Sequence, residues 1–354
     1  WNNIFFPIQT LQSDKTSILN ELADLVSETD SASAKVQLSM LRYKLSRGSS
    51  SEQNCYENVL DRLSSEDQWI SNPTPQKCIT PTHSIASEEI IALLHFGRSG
   101  SGLMHSLIDG HKEVSSLPSI YFSEFFDPSI WDKITAGGWD HMADRFISTY
   151  PVLFDASSSH PVGTIGGKLI YNIGKKEGMT TLGENRKEIL KIDKNQFRQE
   201  LCHLMRHCKT LNADAFFRLI HRAFDKVSNQ HGDKKIIFYH AHNPDIYAKL
   251  KFSQCAPNAR WLLMVREPIQ SCESWSKNEF ENNNYMQIVM NIARMLYQVD
   301  DPIYRMSKSI GVRLEDLKEN PERTISSLCD WMGITVQDSL YRMTAQGKKW
   351  WGDP

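Results

Sequence analysis

Residues Ile90–Leu107 read I-I-A-L-L-H-F-G-R-S-G-S-G-L-M-H-S-L, and this stretch decides the fold of the 354-residue chain. Its apolar run stops at Gly97, passes through a loop of glycines, serines and one arginine, and resumes with helical spacing. A buried strand, a small-residue turn and a helix start leave backbone N–H groups free, and the helix dipole attracts negative charge. The sequence therefore predicts an α/β fold with an anion-binding loop.

The predicted anion site comprises seven consecutive residues: Gly97, Arg98, Ser99, Gly100, Ser101, Gly102 and Leu103. The glycines let a ligand approach the backbone closely, and the serine hydroxyls are hydrogen-bond donors. No Gly-Lys-Ser/Thr closes the loop, so it is not a Walker A sequence, and an ordinary NTPase is disfavoured. On this segment alone, a glycine-rich turn without a ligand remains the alternative interpretation.

A second anchor lies in Asn258–Trp275, which reads N-A-R-W-L-L-M-V-R-E-P-I-Q-S-C-E-S-W. The apolar strand ends at Arg266, and the proline two residues later keeps the chain from continuing as strand. Ligands of open α/β sheets bind at the carboxyl ends of strands, and a guanidinium there can hold a phosphate with two hydrogen bonds. Ser274 follows on the next helix as a hydroxyl donor. An ion pair at the strand end is the alternative role for Arg266.

Together the two anchors resemble the nucleotide-binding elements of sulfotransferases that use 3′-phosphoadenosine 5′-phosphosulfate (PAPS). In that family the first loop binds the 5′-phosphosulfate, and a later arginine and serine, eight residues apart, bind the 3′-phosphate. The loop R-S-G-S-G-L-M-H-S-L-I-D-G-H-K-E-V is similar to the R-S-G-T-T-L-M…L-D-A-H-P-D-V pattern of the tyrosylprotein and bacterial-type members. Gly311–Ile334 resembles the family's closing strand, E-D-L, helix and F-L-G-I segment.

The resemblance covers Ile90–Ile334 and implies the fold and the cofactor chemistry. The implied fold is a P-loop-like parallel sheet flanked by helices, here with a small helical N-terminal region. The implied co-substrate is PAPS and the product is its desulfonated form, PAP, with no metal. The implied activity is transfer of a sulfuryl group to a hydroxyl, or an amine, of an acceptor of unspecified class.

The candidate catalytic base comes from Lys235–Pro244, K-I-I-F-Y-H-A-H-N-P. Histidine suits the task because its ordinary pKa of about 6.5 lies near neutral pH. The segment resembles K-T-H-x-P of the cytosolic sulfotransferases, which gives the role of base to His242 and puts His240 where the family has lysine. Tyrosylprotein sulfotransferases instead use a glutamate after the loop; Pro118 stands there, and the nearest acid is Glu124. Three interpretations therefore stay open: His242 is the base, Glu124 is the base, or His242 has a purely structural role.

Other positions depart from the cytosolic pattern. Arg98 replaces the loop lysine and keeps the charge that would stabilise the departing phosphate. Leu103 stands at the position of the adenine-stacking tryptophan, and Leu314 at that of the tyrosine in Y-E-D. The C-terminal Q-G-K-K-W-W-G-D-P, Gln346–Pro354, faintly resembles the segment that closes over the 3′-phosphate, with Lys348 as the candidate ligand; a solvated end is the alternative.

The organisation suggested by composition is a helical N-terminal region at 1–71, a Pro/Thr-rich linker at 72–85 and an α/β domain at 86–354. The N-terminal region shows helical periodicity in three segments, Ser17–Val26, Ala34–Arg47 and Asn54–Leu63. Within the domain, we expect parallel neighbouring strands at Ile90–Phe96, Ile236–Tyr239 and Trp261–Val265, because their apolar runs are continuous.

A long insertion at about 115–235 is expected to build the acceptor pocket. Four of its aromatic residues could form either pocket walls or core: Tyr121, Phe125, Trp131 and Trp139. A turn is expected at Gly163–Lys168, with an anion site there as the less favoured alternative.

Composition bounds the remaining classes. A net charge of −2 disfavours a nucleic-acid binder. The seven cysteines are scattered without a C-x-x-C pair, which disfavours zinc and a disulfide framework, and Cys202 and Cys208 with His203 and His207 fit an amphipathic helix better than a metal site. No apolar run is long enough for a membrane span, so we expect a cytoplasmic location. Because the sequence starts at Trp1, we also expect the chain to be part of a longer protein. A nucleotide kinase or NTPase and a non-catalytic PAP(S)-binding domain are the rival functions.

Overall fold

The computed structural model of the chain describes residues 15–28, 38–39, 42, 69–75, 88–95, 97–117, 122–165, 168–173, 179–228, 233–242, 246–289, 292 and 308–352. In chain order its strands are β1 Ile70–Ser71, β2 Glu89–His95, β3 Val114–Ser116, β4 Ser159–Ile165, β5 Lys168–Ile173, β6 Thr210–Leu211, β7 Ile236–His240, β8 Arg260–Val265, β9 Ser309–Arg313, β10 Thr344–Ala345 and β11 Lys348–Lys349. Its α-helices are α1 Lys15–Glu28, α2 Ser101–Ile108, α3 Pro128–Thr135, α4 Met142–Thr149, α5 Lys194–Arg206, α6 Ala213–Val227, α7 Ile246–Cys255, α8 Pro268–Glu281, α9 Leu314–Glu319 and α10 Pro321–Met332.

The central element is a five-stranded parallel sheet in the order β3-β7-β2-β8-β9. Strand β2 lies between β7 and β8, so the three strands expected from the sequence are neighbours, and the predicted fold is confirmed. Leu93 pairs with His240 on one side, and His95 pairs with Met264 on the other. The carboxyl ends of the three strands therefore finish at one edge of the sheet.

Alternate residues of β2 face two different apolar layers. Ile90, Ala92 and Leu94 pack against the helices of the insertion. Ile91 and Leu93 pack against α2 and α10 on the opposite face. Because helices cover both faces, the strand is apolar from Ile90 to Leu94 instead of alternating, which is why its sequence predicts a central parallel strand.

Local sequence signals fix several helix ends. The side chain of Asp193 accepts hydrogen bonds from the amides of Asn195 and Gln196 at the start of α5. Helix α10 begins with Pro321 and ends at Gly333, whose φ of 75° is the left-handed conformation that favours glycine. The segment that resembles the family's closing strand and helix accordingly folds as β9, α9 and α10.

The insertion contains helices α3 to α6 and the antiparallel hairpin of β4 and β5. The turn expected at Gly163–Lys168, with an anion site as the less favoured alternative, falls within this hairpin, and positions 166 and 167 lie outside the described residues. Phe125, Trp131 and Trp139 are buried in the core shared with the sheet, while Tyr121 lies outside the described residues.

The N-terminal region is described only in part. Helix α1 matches the first expected segment. Of Ala34–Arg47 only positions 38, 39 and 42 are described, all helical, and Asn54–Leu63 lies outside the described residues, as does most of the 72–85 linker. The domain boundaries stay predictions. No helix in the described part of the chain is long and apolar enough to cross a membrane.

Candidate active site

A cavity of about 350 Å³ opens at the carboxyl edge of β7, β2 and β8. Its wall combines the loop after β2, the strand ends, one face of α2 and segments far along the chain. The described lining residues are 97–103; His95, His105, Ser106 and Asp109; Met179; His240 and His242; Arg266, Ser274 and Leu314; and 344–346 with Trp350. All seven residues of the predicted anion loop therefore lie in this wall.

The loop conformation depends on two of its glycines. Gly97 and Gly100 have φ angles of 66° and 83°, in the left-handed region that side chains disfavour. A Cβ atom at Gly100 would also lie 2.7 Å from a methyl carbon of Leu314. Ser99 donates a hydrogen bond to the carbonyl oxygen of Met264 at 2.8 Å, which anchors the loop to β8. These contacts point the N-terminus of α2 at the cavity.

The second anchor joins the first across the cavity. Nε of Arg98 donates to Oγ of Ser274 at 3.4 Å, and Nη1 of Arg266 donates to the carbonyl oxygen of Arg98 at 3.3 Å. The other Nη atom of Arg266 donates to Gln270 at 3.3 Å. Within the described residues, neither arginine forms an ion pair with a carboxylate. Two cations at one end of the cavity are thus available to an anionic ligand.

Four histidine rings line the same cavity as these two cations. His95 and His242 are stacked with ring centroids 4.8 Å apart and planes 25° apart. His240 lies 5.1 Å from His242 and 5.2 Å from His105. Sequence reasoning singled out His240 and His242 but not His95 and His105. Both missed residues lie within Ile90–Leu107, and their only signal in the sequence is that a histidine stands on each side of the loop.

Burial favours the neutral form of His105, His240 and His242. It lowers the pKa of His242 to about 3, with further lowering from His95, Arg98 and His105. Burial likewise holds the pKa of His240 well below its ordinary value. A neutral His242 has the lone pair that a base requires. A neutral His240 does not supply the positive charge of the lysine that the resembled family has at that position.

A short C-terminal hairpin, β10 and β11, closes another side of the cavity. The carboxylate of Asp109 accepts hydrogen bonds from the hydroxyl of Thr344 at 2.8 Å, the amide of Gly347 at 3.0 Å and the hydroxyl of Ser116 at 2.9 Å. These bonds tie the hairpin to the end of α2 and bring Gln346 and Trp350 into the wall. Sequence reasoning connected this segment with the site but missed Asp109 and Trp350.

Two of the candidate site residues lie away from the cavity. Nζ of Lys348 forms an ion pair with Glu188 at 2.6 Å and is not in the described lining. Glu124 is buried in the insertion, near Tyr239, whose pKa is raised by burial and by the charge of Glu124. The insertion itself contributes Met179 to the described lining. The described aromatic residues for which pocket wall and core were both open lie in the core: Phe125, Trp131 and Trp139.

The described residues contain no cluster of three or more His, Cys, Asp or Glu side chains with the geometry of a metal site. Cys202, His203, His207 and Cys208 lie on or just after α5. Burial raises the pKa of both thiols, Cys202 and Cys208, which disfavours the thiolate form that binds metals.

Comparison with known proteins identifies a family. A sequence profile of the sulfotransferase family matches residues 91–338, well over half of the chain. Several solved structures are similar at low identity, among them two sulfotransferase domains and one sulfotransferase. The sulfotransferase domain from the Synechococcus PCC 7002 olefin synthase is 13% identical with a TM-score of 0.39, and the match covers 78% of this chain and 81% of that one. The sulfotransferase domain from the curacin biosynthetic pathway is 15% identical with a TM-score of 0.32 and coverages of 72% and 76%.

Sulfotransferase STF1 from Mycobacterium tuberculosis H37Rv is 10% identical with a TM-score of 0.29, and the match covers 93% of this chain and 86% of that one. No curated protein sequence matches the chain.

Proposed function

The chain belongs to the sulfotransferase family, and from this premise we propose that it transfers a sulfuryl group from PAPS to a hydroxyl, or an amine, of an acceptor. The proposal includes in-line displacement with His242 as the base and the loop 97–103, Arg266 and Ser274 as the donor site. Nucleotide kinase or NTPase activity is less well supported, since the loop lacks the Gly-Lys-Ser/Thr of a Walker A sequence.

One observation carries the proposal. Arg98 of the loop and Arg266, the two arginines predicted to bind anions, are 168 residues apart in the chain but line one cavity, where Arg266 contacts the backbone of Arg98. PAPS carries negative charge at both ends of its ribose, on the 5′-phosphosulfate and on the 3′-phosphate. The loop and the N-terminus of α2 suit the first group, and the guanidinium of Arg266 with the hydroxyl of Ser274 suits the second.

The proposed reaction makes one bond and breaks one. The acceptor oxygen forms a bond to sulfur, the bond between sulfur and the bridging phosphate oxygen breaks, and the electron pair leaves with the 5′-phosphate of PAP. The acceptor proton passes to the imidazole of His242. Arg98 and the loop amides stabilise the charge that develops on the departing phosphate, which preorganised donors do more effectively than water.

The low pKa of His242 is compatible with this role. A pKa of about 3 makes a weak base, but the negative groups of PAPS would lie beside the ring and raise its pKa. We prefer His242 to Glu124 because His242 lines the cavity, while Glu124 is buried beside Tyr239.

A non-catalytic PAP(S)-binding domain is the second candidate, favoured by the neutral His240 where the family has lysine. The test uses PAPS with a ³⁵S-labelled sulfuryl group and a panel of phenols, sugars, lipids, peptides and amines. We expect labelled product and PAP in equal amounts with at least one acceptor. Tight PAP binding without transfer to any acceptor would identify the binding domain, and phosphoryl transfer from ATP without turnover of PAPS would identify the kinase.

A further inference from the structure

We propose that His95 is a positioning residue that holds the ring of His242 in place and couples it to the donor loop. This role rests on the proposed function, because His242 needs positioning only if it takes a proton. His95 ends strand β2, two residues before the first glycine of the loop, and lines the same cavity as His242.

The first contact fixes the tautomer of His95. Its Nδ1 atom lies 2.7 Å from the carbonyl oxygen of Gly97. A carbonyl oxygen only accepts hydrogen bonds, so Nδ1 must carry the hydrogen. The ring of His95 is thereby fastened to the residue at which the chain turns into the loop, and its orientation follows the conformation of that loop.

The second contact fixes His242. The two rings stack at 4.8 Å with an angle of 25° between their planes, and the ring of His240 lies 5.1 Å from His242 on another side at 79°. His242 comes two residues after the end of β7, where the backbone no longer belongs to the sheet. Its orientation therefore depends on neighbouring side chains, and reacting groups must be held closely for efficient proton transfer.

The charged and titratable groups around His242 come from four elements. They are His95 of β2, Arg98 of the loop, His105 of α2 and His240 of β7. Of these, His95 is the residue that both contacts the loop backbone at Gly97 and stacks on the ring of His242, so it connects the base to the donor loop.

Two matched variants separate the contacts of His95. In His95→Asn the side-chain amide can still donate to Gly97 but cannot stack. In His95→Phe the ring can still stack but cannot donate. We expect His95→Asn to bind PAP within about twofold of wild type while kcat falls at least tenfold, because misplaced reacting groups can cost about 100-fold. We expect His95→Phe to weaken PAP binding about 2–10-fold, the range of one lost hydrogen bond, with a smaller loss in kcat.

PAP binding is measured by calorimetry, and turnover with PAPS and 2-naphthol as the probe acceptor, with PAPS hydrolysis followed in the same assay. Thermal melts of both variants report folding. Equal losses of PAP affinity and kcat in the two variants, or no loss in either, would overturn the proposal. If one variant does not fold, ¹⁵N imidazole shifts of the wild-type protein near pH 7.5 decide instead: protonated Nδ1 on His95 is expected, and protonated Nε2 refutes it.

The nitrogen shifts and the PAP titration need no turnover. A wild-type protein that transfers no sulfuryl group would therefore contradict the proposed function, while these two measurements would still decide whether His95 is fastened to the donor loop.

Discussion

The guanidinium of Arg266 is the clearest single-residue test of the donor site. It contacts the loop backbone and forms no ion pair with a described carboxylate, so it is available to a 3′-phosphate. Arg266→Ala should weaken the binding of PAP by about 1.5–3 kcal/mol, as expected for the loss of a charge-assisted hydrogen bond. The binding of adenosine 5′-phosphate, which lacks the 3′-phosphate, should weaken far less. Calorimetry with both ligands measures the difference. Arg323→Ala, at an exposed arginine outside the cavity, is the control. Equal losses for the two ligands would refute the assignment.

The choice of base is the second test at this scale. His242→Ala should lower kcat by about 10²–10⁴-fold, the usual contribution of a general base, and leave PAP affinity nearly unchanged. Glu124→Gln, which keeps the shape of the buried side chain, should keep kcat within a few-fold. Initial rates at saturating PAPS measure both. A large loss in Glu124→Gln together with a small loss in His242→Ala would reverse the assignment.

The sequence predicts some site residues better than others for a physical reason. Gly97 and Gly100 can be predicted from the sequence because a left-handed turn before a helix requires glycine. Arg266 can be predicted because it directly follows an apolar strand. The stack of His95 on His242 is not readable, because it depends on β2 lying next to β7, more than 140 residues away in the chain. The burial that lowers the pKa of His242 depends on the same packing.

Among the elements, the C-terminal hairpin is tied to the end of α2 by the carboxylate of Asp109. Asp109 is buried and accepts three hydrogen bonds, two of them from the hairpin. Asp109→Ala should destabilise the fold by about 1–3 kcal/mol, because buried donors lose their acceptor, and should loosen the hairpin. Trypsin should then cleave faster after Lys348 and Lys349, with protection by PAP. Asp338→Ala, at an exposed aspartate, serves as the control, and equal cleavage of the two variants would contradict the role of Asp109.

The sequence also predicts whole elements unevenly. Helix α10 is predictable, since proline starts it and glycine ends it. The three central strands are predictable because they are apolar on both faces. The hairpin of β4 and β5 was not, since a turn signal does not reveal its flanking strands. The aromatics Phe125, Trp131 and Trp139 could not be assigned to core or pocket, because both environments favour large apolar rings.

For the whole molecule, buried histidines make stability depend on pH. Burial lowers the pKa of His221 and His242 to about 3 and that of His240 in the same direction. Below about pH 6.5 these histidines are protonated in the unfolded chain but stay unprotonated in the folded chain. The free energy of unfolding therefore falls as pH falls, by up to about 1.4 kcal/mol per pH unit for each histidine. Asp225 acts oppositely, because burial raises its pKa to about 7 and the folded state keeps its proton.

Among the described residues, His105 and His111 also have a pKa lowered by burial, and Asp214 also has a pKa raised by burial. These five histidines outweigh the two aspartates, so the free energy of unfolding should decrease steadily from pH 6.5 to pH 4.5. Urea unfolding at intervals of one pH unit measures this slope. In His221→Phe the free energy of unfolding should depend less steeply on pH, by about the contribution of one histidine. His141→Phe, at an exposed histidine, should leave this slope unchanged. A flat profile, or stability that rises toward acid, would contradict the assignment of buried neutral histidines.

The hydrogen bond between Ser99 and Met264 joins residues that are 165 positions apart in the chain. Both sheet neighbours of β2, the strands β7 and β8, also lie in that distant part of the chain. During synthesis the ribosome must therefore deliver β8 before the donor loop has its anchor. At about 5–20 residues per second this takes roughly 10–30 s, during which an apolar strand is exposed without partners. Nascent chains halted before residue 260 should hence recruit chaperones and fail to bind PAP. Once β8 has left the ribosome, chaperone binding should end and PAP binding should begin together.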